Sequence, residues 1–269
     1  MVLGDFMKLY KTDYSVKPQI ESSQHTESSQ VTKRRFGSIF NEPIELRHYN
    51  SLFPNNHILL MQYKKDNHIT DETNELTEKF YSLIHDDKTK ERDILNFINK
   101  TPAYHIIMSI LNAGIYMFGN HGTYLFPEFP LGNTYRADYL IIGKSSGGYD
   151  FLFVELESPN GSVTIKNGQL GVVYRKGQIQ IYDWQNWIEG NFDIFSDYLN
   201  TQKGHMPLPI EFVKYDSTRF HYAVVAGLRS DYDETTYRLR RKETTNNLLL
   251  LHYDNLYDAA IGLNERNTF

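Results

Sequence analysis

RADYLIIG (residues 136–143) and YDFLFVELESP (149–159), followed by GQLGVVYRKGQIQIYDWQNWI (168–188), decide the fold. The first two are apolar runs rich in β-branched and aromatic residues. KSSGG (144–148) joins them with the small, turn-forming residues of a hairpin, so two strands are predicted. The third segment places Leu170, Val173, Ile181, Trp184 and Ile188 close to helical spacing and predicts a helix, with Trp184 in the core. Both strands carry acids: Asp138 near the start of the first, Glu155 and Glu157 at the end of the second.

Period-two alternation sends Glu155 and Glu157 to one side of the strand and Leu156 to the other. Two like charges on one face repel, and a cation between them is a natural reason for the arrangement. The ordinary explanation is a strand end emerging into water, closed by Ser158-Pro159. Asp138 alone is equally well explained as a strand-end acid facing solvent. A neighbouring strand with its own acid favours the metal reading, because oxygen ligands suit a hard cation such as Mg²⁺, which can activate water on a phosphodiester.

Outward from this stretch, ERDILNFINKTPAYHIIMSILNAG (91–114) predicts a helix, or a helix broken near Pro102. GTYLFPEF (122–129) predicts a short strand, HYAVVAG (221–227) and LLLLHYD (248–254) two buried strands, and DNLYDAAIGL (254–263) a last helix. The order is helix, three strands, helix, strand, strand, helix, which implies an α/β fold, a mixed sheet flanked by helices. Before it, HILLMQY (57–63) reads as a strand and DETNELTEKFYSLIHD (71–86) as a helix capped by Asp71. Residues 17–35 are Ser/Gln-rich and read as a surface loop. Residues 1–75 are expected to form a small N-terminal extension and 76–269 the main domain.

The length, 269 residues, suits one large domain, and the aromatic residues include 20 Tyr and 16 Phe, enough for a substantial core. The net charge of −5 lacks the global field of a nonspecific nucleic-acid binder, so any such contact needs a local basic patch. The absence of Cys excludes disulfides and thiolate metal sites. No apolar core of signal-peptide length and no bilayer-spanning segment is legible, so no membrane contact and a cytoplasmic location are expected.

Other residues are candidates on weaker grounds. Glu91 opens a helix, where an acid is ordinarily explained by the dipole. Lys166, Arg175 and Lys176 follow the acidic strand and could stabilise a phosphoryl transition state, or be ordinary surface. Gln180 can orient a water or phosphate through its amide. Arg238, Arg240, Arg241 and Lys242 form a basic cluster that could meet phosphates, or be a solvated turn. GKSSGG resembles the end of a P-loop, but Asp138 stands where the first Gly belongs. The His residues show no zinc spacing.

Taken in order, these residues resemble the PD-(D/E)XK nuclease superfamily, and within it the Shedu-type antiphage defence nuclease domain, over about residues 76–262. ERDILNFINKTP resembles the family's first helix, RADYLII the strand bearing the metal-binding Asp, FVELESP the strand bearing the acid-x-Lys pair. TIKNGQLGVVYRKGQIQIYDWQNWI (164–188) resembles the segment running into the helix with the family Gln and Trp, and LLHYDNL (250–256) the late strand and turn. The resemblance implies a restriction-endonuclease-like core and Mg²⁺- or Mn²⁺-dependent hydrolysis of DNA in antiphage defence. It makes Glu91, Asp138 and Glu155 the metal ligands and Gln180 the helix residue. Glu157 departs from the pattern, which puts Lys there. Either a lysine has migrated, with Lys166 the first choice, or Glu157 joins the metal shell. Arg175, Lys176, Arg240 and Arg241 are the expected DNA contacts.

Two other classes fit the sequence. One is a catalytically inactive nuclease fold that binds DNA without cutting. The other is a subunit whose aromatic surface builds a homo-oligomer.

Overall fold

The computed structural model describes residues 9–19, 42–113, 116, 118–165, 168–244 and 247–269. In chain order the helices are α1 (Ile44–Tyr49), α2 (Asp71–Ile84), α3 (Glu91–Lys100), α4 (Tyr104–Met108), α5 (Ile110–Ala113), α6 (Val172–Gly190), α7 (Phe192–Gln202), α8 (Glu234–Glu243) and α9 (Tyr253–Ile261). The strands are β1 (His57–Ile58), β2 (Lys64–Lys65), β3 (His68–Ile69), β4 (Gly122–Leu131), β5 (Tyr135–Ser145), β6 (Gly148–Leu156), β7 (Thr164–Ile165), β8 (Gln169–Leu170), β9 (Phe220–Val225) and β10 (Leu248–Leu251).

Six strands form one mixed sheet in the order β1-β4-β5-β6-β9-β10. β4, β5 and β6 run as an antiparallel meander, as the hairpin reading of 136–159 requires. The β5–β6 turn closes on the pair Ser145↔Gly148, and Gly148 takes a φ of +108°, which a side chain would resist. β9 and β10 then add in parallel to β6, and parallel neighbours need crossovers: α6 and α7 supply one, α8 the other.

Alternation along the strands splits the core into two layers. Ile141, Leu152, Val154, Ala223 and Leu251 pack with Phe80, Ile94, Ile98 and Leu256 from α2, α3 and α9. Leu140, Ile142, Phe151, Phe153 and Val224 pack with Ile181, Trp184, Ile188 and Leu199 from α6 and α7. The sheet therefore lies between two helical layers, and Trp184 is buried as expected.

Several local expectations give way. HILLMQY forms only two strand residues before turning into a 3₁₀ helix over Leu60–Tyr63, where the Gln62 side chain accepts from the Leu59 N–H. Thr70, not Asp71, caps α2: its hydroxyl accepts from Thr73 N. The strand expected at 122–129 extends to Leu131. YRLRRKE, ordinarily a solvated turn, belongs to helix α8, begun by Asp233 capping Thr236 N. The division at residues 75 and 76 cuts through α2, while Leu52, Phe53 and Ile58 lie in the same two cores as the main sheet. Of the Ser/Gln-rich segment, residues 20–35 lie outside the described residues.

Candidate active site

Strand pairing brings the acids together. Tyr139 pairs with Val154, which sets Asp138 across from Glu155. The Asp138 carboxylate accepts from Leu156 N at 2.7 Å, one residue beyond. Glu157 follows the end of β6, its N–H donating to Val225 O at 2.8 Å and its own carbonyl accepting from the Tyr253 hydroxyl at 2.6 Å. Both glutamates are sequestered, Glu155 4% and Glu157 2% exposed. A strand end emerging into water would leave them wet, so that explanation fails for both.

Helix α6 closes over them from the Phe153 side of the sheet. Gly177 permits the approach, because a Cβ there would meet Val224 Cγ1 at 2.5 Å and Glu157 Cγ at 3.4 Å. A glycine inside a helix costs about 1 kcal/mol relative to alanine, and here close packing is the return. The contact aims one turn of the helix, Lys176 and Gln180, at the acids. Lys176 Nζ lies 2.7 Å from Glu157 Oε2 and 3.2 Å from Glu91 Oε2. Gln180 Nε2 donates to Glu155 Oε1 and, at 3.2 Å, to Glu157 Oε1. Glu91 arrives as the first residue of α3, whose preceding loop is tied to the end of β6: Asn160 Nδ2 donates to Thr89 O at 3.0 Å and Asp86 O at 3.2 Å.

Burial and crowding make these acids hold protons. Glu155 is pushed up to about 10, first by burial and then by Asp138, Glu157 and Glu91. Asp138 is pushed up to about 7 by burial, against the Leu156 N–H and with help from Glu91 and Glu157. Glu157 is also raised by burial, which the Lys176 ammonium partly offsets. For Lys176, burial works against the charge, but Glu157 and Glu91 outweigh it and hold the ammonium above its ordinary value.

The structure thus gathers Glu91, Asp138, Glu155, Glu157 and Gln180 at the carboxyl end of β6. As they stand, no three His, Asp or Glu side chains among the described residues are arranged to hold an ion; the carboxylates are turned to Lys176 and Gln180 instead. The donor set itself is all oxygen and suits a hard cation, and two crowded acids raised toward the protonated form, Asp138 and Glu155, are two acids a cation could take over. Lys166 lies outside the described residues. Lys176, expected either to stabilise a phosphoryl transition state or to contact DNA, sets its ammonium against Glu91 and Glu157 while its side chain stays half exposed; its place four residues before Gln180 is the signal that points there. Arg175 is exposed on α6, and Arg240 and Arg241 lie on α8, which packs against β10. Arg240 stands by Tyr174, Tyr232 and His252 rather than by the acids. Tyr253 and Asn160, which position Glu157 and the Glu91 loop, carry no sequence signal of that role.

Among the described residues, no helix is long and apolar enough to cross a membrane. No curated protein matches the chain. The family model for the C-terminal part of Shedu protein SduA matches residues 88–257, from the loop before Glu91 to α9, so the chain belongs to the Shedu family.

Proposed function

We propose that this Shedu-family chain is a divalent-metal-dependent deoxyribonuclease. The family suggests antiphage defence; the chemistry is inferred from the site. One observation carries it: Asp138 and Glu155 face each other across paired strands, the first partly and the second fully buried, both raised toward the protonated form, under a lysine and a glutamine from one helical turn.

Mg²⁺ or Mn²⁺ fits this donor set, held by Asp138 and Glu155 with Glu91 beside them. Once bound, such an ion supplies Lewis acidity, which lowers the pKa of a water and offsets charge on a phosphodiester oxygen. The chain's own residues do the rest. Lys176 occupies the role that the PD-(D/E)XK pattern gives to a strand lysine: its ammonium reaches the acids from α6 and stabilises developing phosphate charge. Glu157, standing at the strand-lysine position, anchors that ammonium at 2.7 Å. The Gln180 amide, which donates to Glu155 and Glu157, could orient an attacking water. Tyr253 fixes the Glu157 backbone beneath them.

Purified protein incubated with linear and circular DNA in Mg²⁺, Mn²⁺ or EDTA tests this. Cleavage should need the divalent ion, and Asp138→Asn and Glu155→Gln should each abolish it without unfolding the chain. Full activity in either variant overturns the site. A folded wild-type chain that binds DNA but cuts it in neither metal makes the protein an inactive nuclease fold.

A further inference from the structure

The candidate site sets the Glu91 and Glu157 carboxylates against one ammonium, with the acids Asp138 and Glu155 beside them, in a chain of net charge −5. A nucleic-acid backbone approaching it meets repulsion unless cations stand at the rim. The stretch Phe126-Pro127-Glu128-Phe129-Pro130 in β4 supplies such a place. β1 covers β4 only at Thr123 and Tyr124, so the remainder is an outer edge where prolines are tolerated. Phe126 and Phe129 are both fully buried in the α6-side core, which strict alternation forbids. The change of phase falls on Glu128, a non-glycine residue with a φ of +50°. Burying both phenylalanines offsets that strain, and the reversal carries Glu128 out of the regular pattern.

There Glu128 gathers two arginines. Arg92 Nη1 lies 3.5 Å and Arg136 Nη1 4.0 Å from Glu128 Oε1. The carboxylate is 14% exposed, the guanidinium side chains 67% and 53%. Two guanidiniums on one carboxylate leave a surplus positive charge, and contacts this long leave most of their donors to solvent. The position matters as much. Arg92 follows Glu91 in α3, and Arg136 precedes Asp138 by two residues, about 7 Å along β5. The pairs Pro127↔Tyr139 and Phe129↔Ala137 set Glu128 across from Asp138. As stabilising ion pairs these would contribute about 0–1 kcal/mol, which does not account for two arginines converging at the border of an acid cluster.

We propose that Arg92 and Arg136 form an anion subsite for a backbone phosphate of the nucleic-acid substrate, one or two nucleotides from the scissile bond. Glu128 gathers the two guanidiniums, whose planar forks match phosphate oxygens. The inference rests on the nuclease reading and adds where the strand is gripped.

Fluorescence anisotropy with a labelled DNA duplex in EDTA, across a salt series, tests it. Arg92→Gln/Arg136→Gln should bind about ten-fold more weakly at low salt, with the log–log salt slope reduced by roughly one, since the pair engages one phosphate. Arg92→Lys/Arg136→Lys should restore the slope but not the full affinity, since lysine keeps the charge without the fork. Mg²⁺ binding by calorimetry should be unchanged in both, which separates a phosphate contact from damage to the acid cluster. A glutamine variant with wild-type affinity and slope, beside a wild type that binds and cuts DNA, overturns this inference alone. A wild type with no affinity for duplex overturns it together with the nuclease reading.

Discussion

The proton held at Asp138 makes the metal-free fold sensitive to pH, and the sign follows from the direction of the shift. Asp138 is raised from 3.8 to about 7 in the folded chain, mainly by burial. The folded state therefore binds this proton more tightly than the unfolded state. The stability it contributes is fully present below about pH 4 and is lost as pH rises toward and through 7. Between pH 5 and pH 8 the loss from Asp138 alone is about 3 kcal/mol, from the linkage between the two values. For a chain of this length that lowers Tm by roughly 6–10 °C. Glu155, raised to about 10 by burial and its neighbouring acids, pushes the same way over a wider range. Calorimetric melts in EDTA from pH 5 to pH 8 measure the effect. Asp138→Asn keeps an oxygen for the Leu156 N–H but cannot ionise, so its stability should fall less over that range, by the part Asp138 contributes, while the part from Glu155 remains. Millimolar Mg²⁺ should restore wild-type Tm at pH 8 and do little for the variant. A wild-type Tm that does not fall between pH 5 and pH 8, or a fall of the same size in Asp138→Asn, would refute the reasoning.

Three further outcomes are expected. Lys176→Met should lower turnover by roughly 10²-fold or more, the scale of a charge-stabilising group, while far-UV circular dichroism stays unchanged; wild-type turnover would return the lysine role to Lys166. Gly177→Ala places a methyl 2.5 Å from Val224 Cγ1, so it should cost about 1–3 kcal/mol by denaturant unfolding and weaken Mg²⁺ binding, because α6 must lift from the acids; unaltered stability would show that the helix does not depend on this close approach. Tyr253→Phe removes the donor to Glu157 O and should cost about 1–2 kcal/mol, with a loss of cleavage smaller than that of Lys176→Met; equal losses would make the hydroxyl part of the chemistry.

Much of the fold is written locally. The β5–β6 hairpin was legible because alternation and the KSSGG turn are short-range properties, and the same alternation identified Glu155 and Glu157 as sharing a side. α3, with its break at Pro102, and α6 with Trp184 were legible because helical spacing and proline chemistry act within a few residues. HILLMQY misleads for the complementary reason: a short apolar run has no period of its own, and Gln62 turns it into 3₁₀ helix by bonding the Leu59 N–H. The cap of α2 turns on which hydroxyl reaches Thr73 N, which spacing cannot show. α8 reads as solvated charge because most of its anchoring comes through single buried contacts such as Thr236.

Strand period and hairpin register depend on neighbours in the chain, so Asp138 and Glu155 on adjacent strands of an α/β sheet, with Glu157 just past the second, are legible without the rest of the fold. Packing in three dimensions decides that Glu155 and Glu157 are buried, that Lys176 stands beside them where the sequence pattern lacks a strand lysine, and that Arg92 and Arg136 meet at Glu128. Each depends on packing between segments distant in sequence: α6 against β9 through Gly177, and α3 against the sheet edge. Those approaches are set by side-chain volume and hydrogen-bond satisfaction across the whole core, which no local spacing encodes.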